Sequence, residues 1–147
     1  MNMMFHTALL TFSRMTLMTA LVGKNEPPKT HTRYFEEFIK AGKTEQAAFK
    51  SLINGTKPVV VKFTTDNCGP CKATVQDFEA LAAKYQDQAI FVVVNGNSNI
   101  GVTYKVLSVP TFMIFNKGEK IINFKRAGLN NQDWIQTIET YLKKLAA

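Results

Sequence analysis

The chain has 147 residues, of which 46% are hydrophobic, and this length and composition suit one domain with a buried core. Two cysteines are too few for the disulfide scaffold of a small secreted protein, so if they pair, they pair with each other. The net charge of +7 is spread along the chain, and no basic run is interleaved with aromatic residues, which argues against nucleic-acid binding as the main function.

The first thirty residues differ from the rest of the chain, because they hold no acidic residue before Glu26 and contain two short apolar runs. The second run, residues 15–22, is too short to span a bilayer but long enough for the apolar centre of a signal peptide. An organellar transit peptide and an untargeted extension are the alternatives. We therefore predict an N-terminal extension with a linker over residues 1–30 and a folded domain over residues 31–147. Membrane attachment is expected only if the N-terminal segment anchors the chain.

The first part of the domain alternates helices with buried strands. Residues 34–42 fit either a short strand or a helical turn, and Thr44 can cap a helix over Glu45–Ile53. The run VVVKFTT after Pro58 and the run AIFVVVN over residues 89–95 predict strands that are covered on both faces. Between these strands, apolar residues at helical spacing predict a helix whose buried face is formed by Val75, Phe78, Leu81, Ala82 and Tyr85.

The rest of the chain predicts a hairpin and a last helix. Residues 96–108 form a polar connection with a short helix near residues 102–104, and two apolar runs flank the hairpin signal NKGE, residues 116–119. Asn130 or Asn131 caps a helix whose apolar side chains are Trp134, Ile135, Ile138, Tyr141, Leu142 and Leu145. This order of elements predicts an α/β fold with a central mixed sheet of four to five strands and helices on both faces.

Both cysteines lie in the stretch CGPCK, where a predicted strand ends and a helix begins. The free N–H groups and the positive dipole end of the helix favour a thiolate at Cys68, and the thiolate is the nucleophilic form. Cys71 follows about one helical turn later, which keeps the sulfurs close enough to bridge, and its helical position should leave it more covered. Pro70 suits the first turn of a helix, and Gly69 lets the backbone turn beside the sulfur. The predicted active-site loop consists of Asn67, Gly69, Pro70 and Lys72.

The pattern favours a redox pair over three alternatives. A closed zinc site needs a full set of protein ligands, whereas the only histidines, His6 and His31, lie near the N-terminus. A metal site shared between two chains stays open as a minor alternative, and we predict no metal ligand within one chain. The same shortage of histidine argues against a cysteine–histidine hydrolase. A purely structural staple is weak, because closing so short a loop removes little chain entropy.

The stretch CGPCK after a VVVKF strand, followed by VPTFMIFNKGE over residues 109–119 and a last helix, resembles the thioredoxin family. The resemblance extends roughly over Thr44–Leu145, most of the chain. It implies the thioredoxin fold, a redox-active disulfide between Cys68 and Cys71, and a cis peptide bond before Pro110. It also implies that the substrate peptide binds as an added strand at the loop formed by Val109, Pro110 and Thr111.

The resemblance further implies a thiol–disulfide oxidoreductase that reduces protein disulfides. In that reaction Cys68 attacks the substrate disulfide and Cys71 resolves the mixed disulfide. No bound cofactor is expected, and the implied partners are disulfide-containing proteins and an electron donor of the thioredoxin-reductase type. We expect a cytoplasmic monomer, with export or organellar import as the alternative if residues 1–23 act as a targeting segment. The alternative function is a module that binds a protein partner and whose redox turnover is incidental.

Two positions beside the motif depart from the thioredoxin pattern. Asn67 stands where the family usually has a tryptophan, and Lys62 stands where it usually has a buried aspartate. One hypothesis is that Lys62 favours a thiolate and so lowers the pKa of a cysteine. The alternative is that the stem of Lys62 lies along the sheet edge while its amine reaches water. Asp66 is a second candidate modulator of the cysteine pKa, against a simple role in the turn.

Overall fold

A computed structural model of the chain describes residues 30–126 and 129–147. The candidate targeting segment, residues 1–23, lies outside the described residues. Across the two described ranges, the helices are all too short or too polar to cross a membrane.

The described elements alternate along the chain in the predicted order. The strands are β1 (Thr32–Tyr34), β2 (Val59–Thr64), β3 (Ile90–Asn95), β4 (Thr111–Asn116) and β5 (Glu119–Lys125). The helices are α1 (Glu45–Ile53), α2 (Gly69–Lys72), α3 (Val75–Lys84), α4 (Asn99–Thr103) and α5 (Asn131–Ala146), with a 3-10 turn over Phe35–Phe38.

The five strands form one mixed sheet in the order β1-β3-β2-β4-β5. Strand β3 pairs in parallel with β1 and β2, whereas β4 pairs antiparallel with β2 and with β5. The helical crossover between β2 and β3 explains their parallel direction, and the tight turn between β4 and β5 explains their antiparallel pairing. The sheet and its two helical layers confirm the predicted α/β fold, and β2 lies at its centre.

The sheet separates two hydrophobic clusters. Alternate residues of β2 point to opposite faces, so Val61 joins the cluster beneath α1 and α4, while Val60 joins the cluster beneath α3 and α5. Trp134 is fully buried in the second cluster, where its ring stacks on Phe112 with the ring centroids 4.8 Å apart. The single tryptophan, which the sequence placed among the apolar side chains of the last helix, therefore belongs to the core.

Side-chain caps fix where two of the flanking helices, α1 and α5, begin. The hydroxyl of Thr44 accepts a hydrogen bond from the N–H of Ala47 at 3.1 Å, which satisfies one free donor at the start of α1. The side chain of Asn130 does the same for the N–H of Asp133 at 2.9 Å, so Asn130 rather than Asn131 caps α5. Both helix starts follow from local sequence.

The structure decides one open prediction and differs from two others. The stretch 34–42 forms a 3-10 turn over Phe35–Phe38, so the helical alternative holds, and the short strand β1 lies just before it. Helix α4 begins at Asn99, earlier than predicted, because the side chain of Ser98 caps it. Val75 was predicted to be core, which is wrong: it is the first residue of α3 and is 54% exposed.

Candidate active site

The site forms where the central strand β2 ends. After Thr64 the chain turns through the exposed Asp66 and Asn67, and Cys68 then takes the position immediately before α2. The sulfur of Cys68 accepts a hydrogen bond from the backbone N–H of Cys71 at 3.1 Å. The predicted placement of Cys68 at a helix start is therefore confirmed, with one of the free N–H groups aimed at its sulfur.

The two cysteines are joined by a disulfide, and their Cα atoms are 5.2 Å apart. Both side chains are largely covered, with 8% of Cys68 exposed and 2% of Cys71. The neighbouring Gly69 and Pro70 are exposed. Because Cys68 is the less covered cysteine and adjoins the exposed Gly69 and Pro70, an incoming group has access to it first.

A second segment reaches the disulfide from β4. The pairing of Thr111 with Phe63 on β2 brings the start of β4 to the same end of the sheet as the cysteines. The peptide bond between Val109 and Pro110 is cis, as the resemblance implied. The carbonyl oxygen of Val109 lies 3.7 Å from the sulfur of Cys68, a distance over which a reduced thiol donates a weak hydrogen bond.

Gly96, at the end of β3, supports this second segment. A Cβ atom built on Gly96 would lie 2.9 Å from Cγ1 of Val109, closer than carbon atoms normally approach. The oxygen of Thr64 also accepts a hydrogen bond from the N–H of Gly96 at 2.8 Å. The absence of a side chain at Gly96 therefore lets the ends of β2 and β3 approach the loop before Pro110.

Lys62 lies on the central strand of the sheet and is only 3% exposed. Its ammonium donates a hydrogen bond to the hydroxyl of Thr74 at 3.2 Å and lies 4.8 Å from the centre of the Phe78 ring. Burial disfavours the charged amine and lowers the pKa of Lys62 to about 8. The alternative of a stem along the sheet edge with the amine in water is therefore wrong, because the pairing of β4 and β5 beyond β2 makes this strand central.

Thr74 connects Lys62 to the cysteine pair, and sequence reasoning missed it. Its hydroxyl is fully buried and donates a hydrogen bond to the carbonyl oxygen of Cys71 at 2.7 Å while it accepts one from Lys62. The available signal was a hydroxyl residue three positions after Cys71, at a spacing that suits a side-chain bond back to the preceding turn. The contact places a cationic side chain one hydrogen-bonded residue away from the second cysteine.

A cavity of about 390 Å³ lies beside this arrangement, and we call it the Lys62 cavity. It lies between β1, the neighbouring strands β2 and β3, and the helices α2 and α3. Its lining includes Tyr34, Lys62, Cys71, Lys72, Val75, Glu79 and Val93. Lys72, predicted as part of the active-site loop, therefore faces this cavity as well. Asp66 does not, and its exposed position fits a role in the turn.

These features define a class of protein. The site has a cysteine that caps a helix at the end of a buried strand, a second cysteine one helical turn later, and a cis-proline loop against the first sulfur. This combination is the site of a thiol–disulfide oxidoreductase. A protein-family model described as thioredoxin matches residues 40–140. The chain belongs to the thioredoxin family.

Individual relatives agree with this family. Thioredoxin of Porphyra purpurea is 34% identical over 86 residues, which cover 56% of this chain and 80% of that protein. The protein named "Thioredoxin M-type, chloroplastic" of Chlamydomonas reinhardtii is 30% identical over 106 residues, covering 70% of this chain and 75% of that protein. A solved structure of Plasmodium falciparum thioredoxin superposes with a TM-score of 0.59 at 30% identity, covering 65% of this chain and 93% of that one.

Membership of the family gives the activity. The chain is a protein-disulfide oxidoreductase whose redox-active pair is Cys68 and Cys71, and its substrates are disulfide-containing proteins. The alternative of a module that only binds a partner is not favoured, because the relatives are thioredoxins and the cysteine pair is intact. Relatives carry names that place them in chloroplasts and in mitochondria, so the family alone does not assign a compartment.

Proposed function

We propose that the chain acts as a reductant of protein disulfides, with Cys68 as the nucleophile and Cys71 as the resolving thiol. One observation carries the assignment of roles: Cys68 is the helix-capping cysteine, whose sulfur accepts the N–H of Cys71 at 3.1 Å. This hydrogen bond and the positive end of α2 stabilise negative charge on that sulfur. Cys71 is the more deeply covered of the two, which suits a thiol that reacts only with its neighbour.

The proposed reaction moves two electrons from the reduced pair to the substrate. The thiolate of Cys68 attacks one sulfur of the substrate disulfide, and the other substrate sulfur leaves as a thiolate that takes up a proton. Cys71 then loses its proton and attacks the sulfur of Cys68. The second substrate thiolate leaves, and the Cys68–Cys71 disulfide forms.

The substrate surface is proposed to be the segment before β4. The carbonyl of Val109 faces the sulfur of Cys68, and the hydroxyl of Thr111 donates a hydrogen bond to the carbonyl of Ser108 at 2.6 Å, which holds the segment in place. Leu107, just before this segment, is 86% exposed. An extended substrate peptide would pair with the backbone at Val109 and cover Leu107.

Lys62 is proposed to lower the pKa of the Cys71 thiol in the reduced protein. Its ammonium reaches the residue whose hydroxyl binds the carbonyl of Cys71, so a positive charge lies near the site where the resolving thiolate forms. Titration of both thiols in the wild type and in Lys62→Ala tests this role. An unchanged pKa of Cys71 would show that Lys62 acts on packing alone.

Trapping of the mixed disulfide tests the assignment of the two cysteines. The Cys71→Ser variant, mixed with a protein substrate that contains a disulfide, is expected to accumulate a covalent adduct that mass spectrometry detects and dithiothreitol releases. The matched Cys68→Ser variant should form no adduct, because Cys71 is covered. Adducts on Cys68→Ser and none on Cys71→Ser would reverse the assignment.

The direction of electron flow is tested separately by the reduction potential of the pair in a dithiothreitol redox series. A potential more negative than that of the glutathione pool supports a reductant that takes electrons from a reductase. A markedly more positive potential would instead indicate a protein that forms or rearranges disulfides. The electron donor is proposed to be an enzyme of the thioredoxin-reductase type, and addition of such an enzyme with its reductant should sustain turnover.

The organisation and location of the chain complete the proposal. We place the domain at residues 31–147, supported by the start of β1 at Thr32, and we propose a monomer in the cytoplasm. A fragment of residues 31–147 should melt at the temperature of the full chain and sediment as a single copy. Residues 1–23 fused to a fluorescent protein test the alternative of targeting, since export or import of the fusion would overturn the cytoplasmic assignment.

A further inference from the structure

The Lys62 cavity contains a buried cation that lacks a carboxylate partner. Lys62 is 3% exposed, and its amine makes a hydrogen bond to the neutral hydroxyl of Thr74. Across residues 30–126 and 129–147, the ion pairs formed by acidic side chains involve other bases, and none includes Lys62. A buried ammonium without a counter-charge is costly, so an anion placed beside it would be stabilised.

The other ionisable groups that line the cavity leave this cation available. Glu79 is the acidic group, and its carboxylate is already bound by the backbone N–H groups of His31 and Thr32, the second at 2.8 Å. Burial acts to raise the pKa of Glu79, but those hydrogen bonds outweigh it and hold the pKa below its usual value. Lys72 adds a second positive group, and Cys71 carries no charge in the disulfide.

The remaining walls suit an organic body rather than an inorganic ion. Val75 and Val93 present apolar side chains to the cavity, and the phenol of Tyr34 lies at the wall formed by β1. Val75 and Tyr34 are among the few large apolar side chains that the described residues leave exposed, at 54% and 58%. The volume of about 390 Å³ falls within the range of small-molecule sites.

We propose that the Lys62 cavity binds a small organic carboxylate, whose carboxylate group pairs with the ammonium of Lys62 and whose apolar body lies against Val75 and Val93. This site is separate from the substrate surface at Val109, and its existence does not depend on the direction of the redox reaction. The bound carboxylate supplies the counter-charge that the protein does not, and charge-assisted hydrogen bonds are the stronger kind.

Benzoate is a suitable probe, and benzyl alcohol is its neutral counterpart of similar shape. Each is titrated into the oxidised full-length protein at pH 7 and followed by NMR. Benzoate is expected to shift the resonances of Val75 and Val93 and to bind about tenfold more tightly than benzyl alcohol, since hydrogen bonds between charged groups are stronger than those to a neutral hydroxyl. Lys62→Met should weaken benzoate binding about tenfold, whereas Lys50→Met, the same change at an exposed lysine on α1, should leave it unchanged.

A second measurement needs no variant. The pKa of Lys62, lowered by burial to about 8, is read from its side-chain NMR signals with and without saturating benzoate. Binding should raise this pKa by about one unit, since a tenfold preference for the charged amine corresponds to one unit. Equal binding of benzoate and benzyl alcohol, shifts confined to residues outside the cavity, or an unchanged pKa at saturating benzoate would each overturn the proposal.

Discussion

Replacing Lys62 by methionine isolates the cost of burying a charged amine in the middle of the sheet. Methionine has a similar length and stays in contact with Phe78, so the substitution removes the charge with little change in packing. Lowering the pKa of Lys62 from 10.5 to about 8 corresponds to about 3 kcal/mol of destabilisation at neutral pH, at about 1.4 kcal/mol for each unit. The variant also loses the hydrogen bond to Thr74 and the cation–π attraction of the ammonium to the Phe78 ring, and each loss destabilises it by about 1 kcal/mol. We therefore expect the variant to be more stable than the wild type by about 1 kcal/mol at pH 7.

The pH dependence of the difference in unfolding free energy between the two proteins gives the sharper test, because packing differences do not vary with pH whereas the charge on Lys62 does. The unfolded chain binds more protons at this lysine than the folded chain between pH 8 and 10.5, so the wild type gains stability as pH rises through that window. Between pH 7 and 9.5 the wild type should gain about 2 kcal/mol relative to Lys62→Met.

Urea unfolding of the oxidised proteins at both pH values measures this difference in the free energy of unfolding. Lys50→Met provides a control for removal of one positive charge at the surface. If the difference in unfolding free energy between the wild type and Lys62→Met stays constant from pH 7 to 9.5, the reasoning is refuted. The amine of Lys62 would then have the same pKa in the folded and unfolded chains.

Two further substitutions test the support of the site by Gly96 and the hydrogen bonds around Glu139. Gly96→Ala places a Cβ against Val109, so we expect overpacking to lower the free energy of unfolding by about 1–3 kcal/mol. The loop before Pro110 should move as a result, and the rate of disulfide reduction should fall several-fold. Urea unfolding and turnover of a protein disulfide measure the two effects, and an unchanged rate would show that Gly96 does not support the site. Glu139→Gln should lower the melting temperature by a few degrees at pH 7, because hydrogen bonds from Lys84 and Tyr85 hold the pKa of Glu139 below its usual value. That difference should vanish as pH falls through the lowered pKa, where the wild-type carboxyl is itself protonated; a difference that persists in acid would rule out the ionised carboxylate as its source.

The sequence predicted the elements and the reactive pair because both are local signals. The apolar run at Val59–Phe63, interrupted only by Lys62, is long enough for a covered strand and too short for most helices. Thr44 and Asn130 each satisfy a free N–H group in the first turn of the helix that they cap. The CGPC stretch likewise placed Cys68 at a helix start from its own residue types.

The environment of Lys62 could not be predicted in this way. A lysine inside an apolar run is compatible with an edge position, where its amine reaches water, and with a central one, where it does not. The choice depends on which strands pair on each side of β2, and that pairing joins residues far apart in the chain. The exposure of Val75 could not be predicted from local spacing either. Helical spacing assigned Val75 to the core, whereas the cavity beside it leaves it exposed.

The sequence by itself therefore determined the fold class, the positions of most elements and the identity of the redox pair, because periodicity, caps and a short motif act over a few residues. Tertiary structure alone decided the surroundings of that pair. It placed the carbonyl of Val109 against Cys68, buried the amine of Lys62 against Thr74, and opened a cavity between β1 and α3. Each of these contacts joins segments that only the packing of the sheet and its helices brings together, and sequence spacing carries no record of such distances.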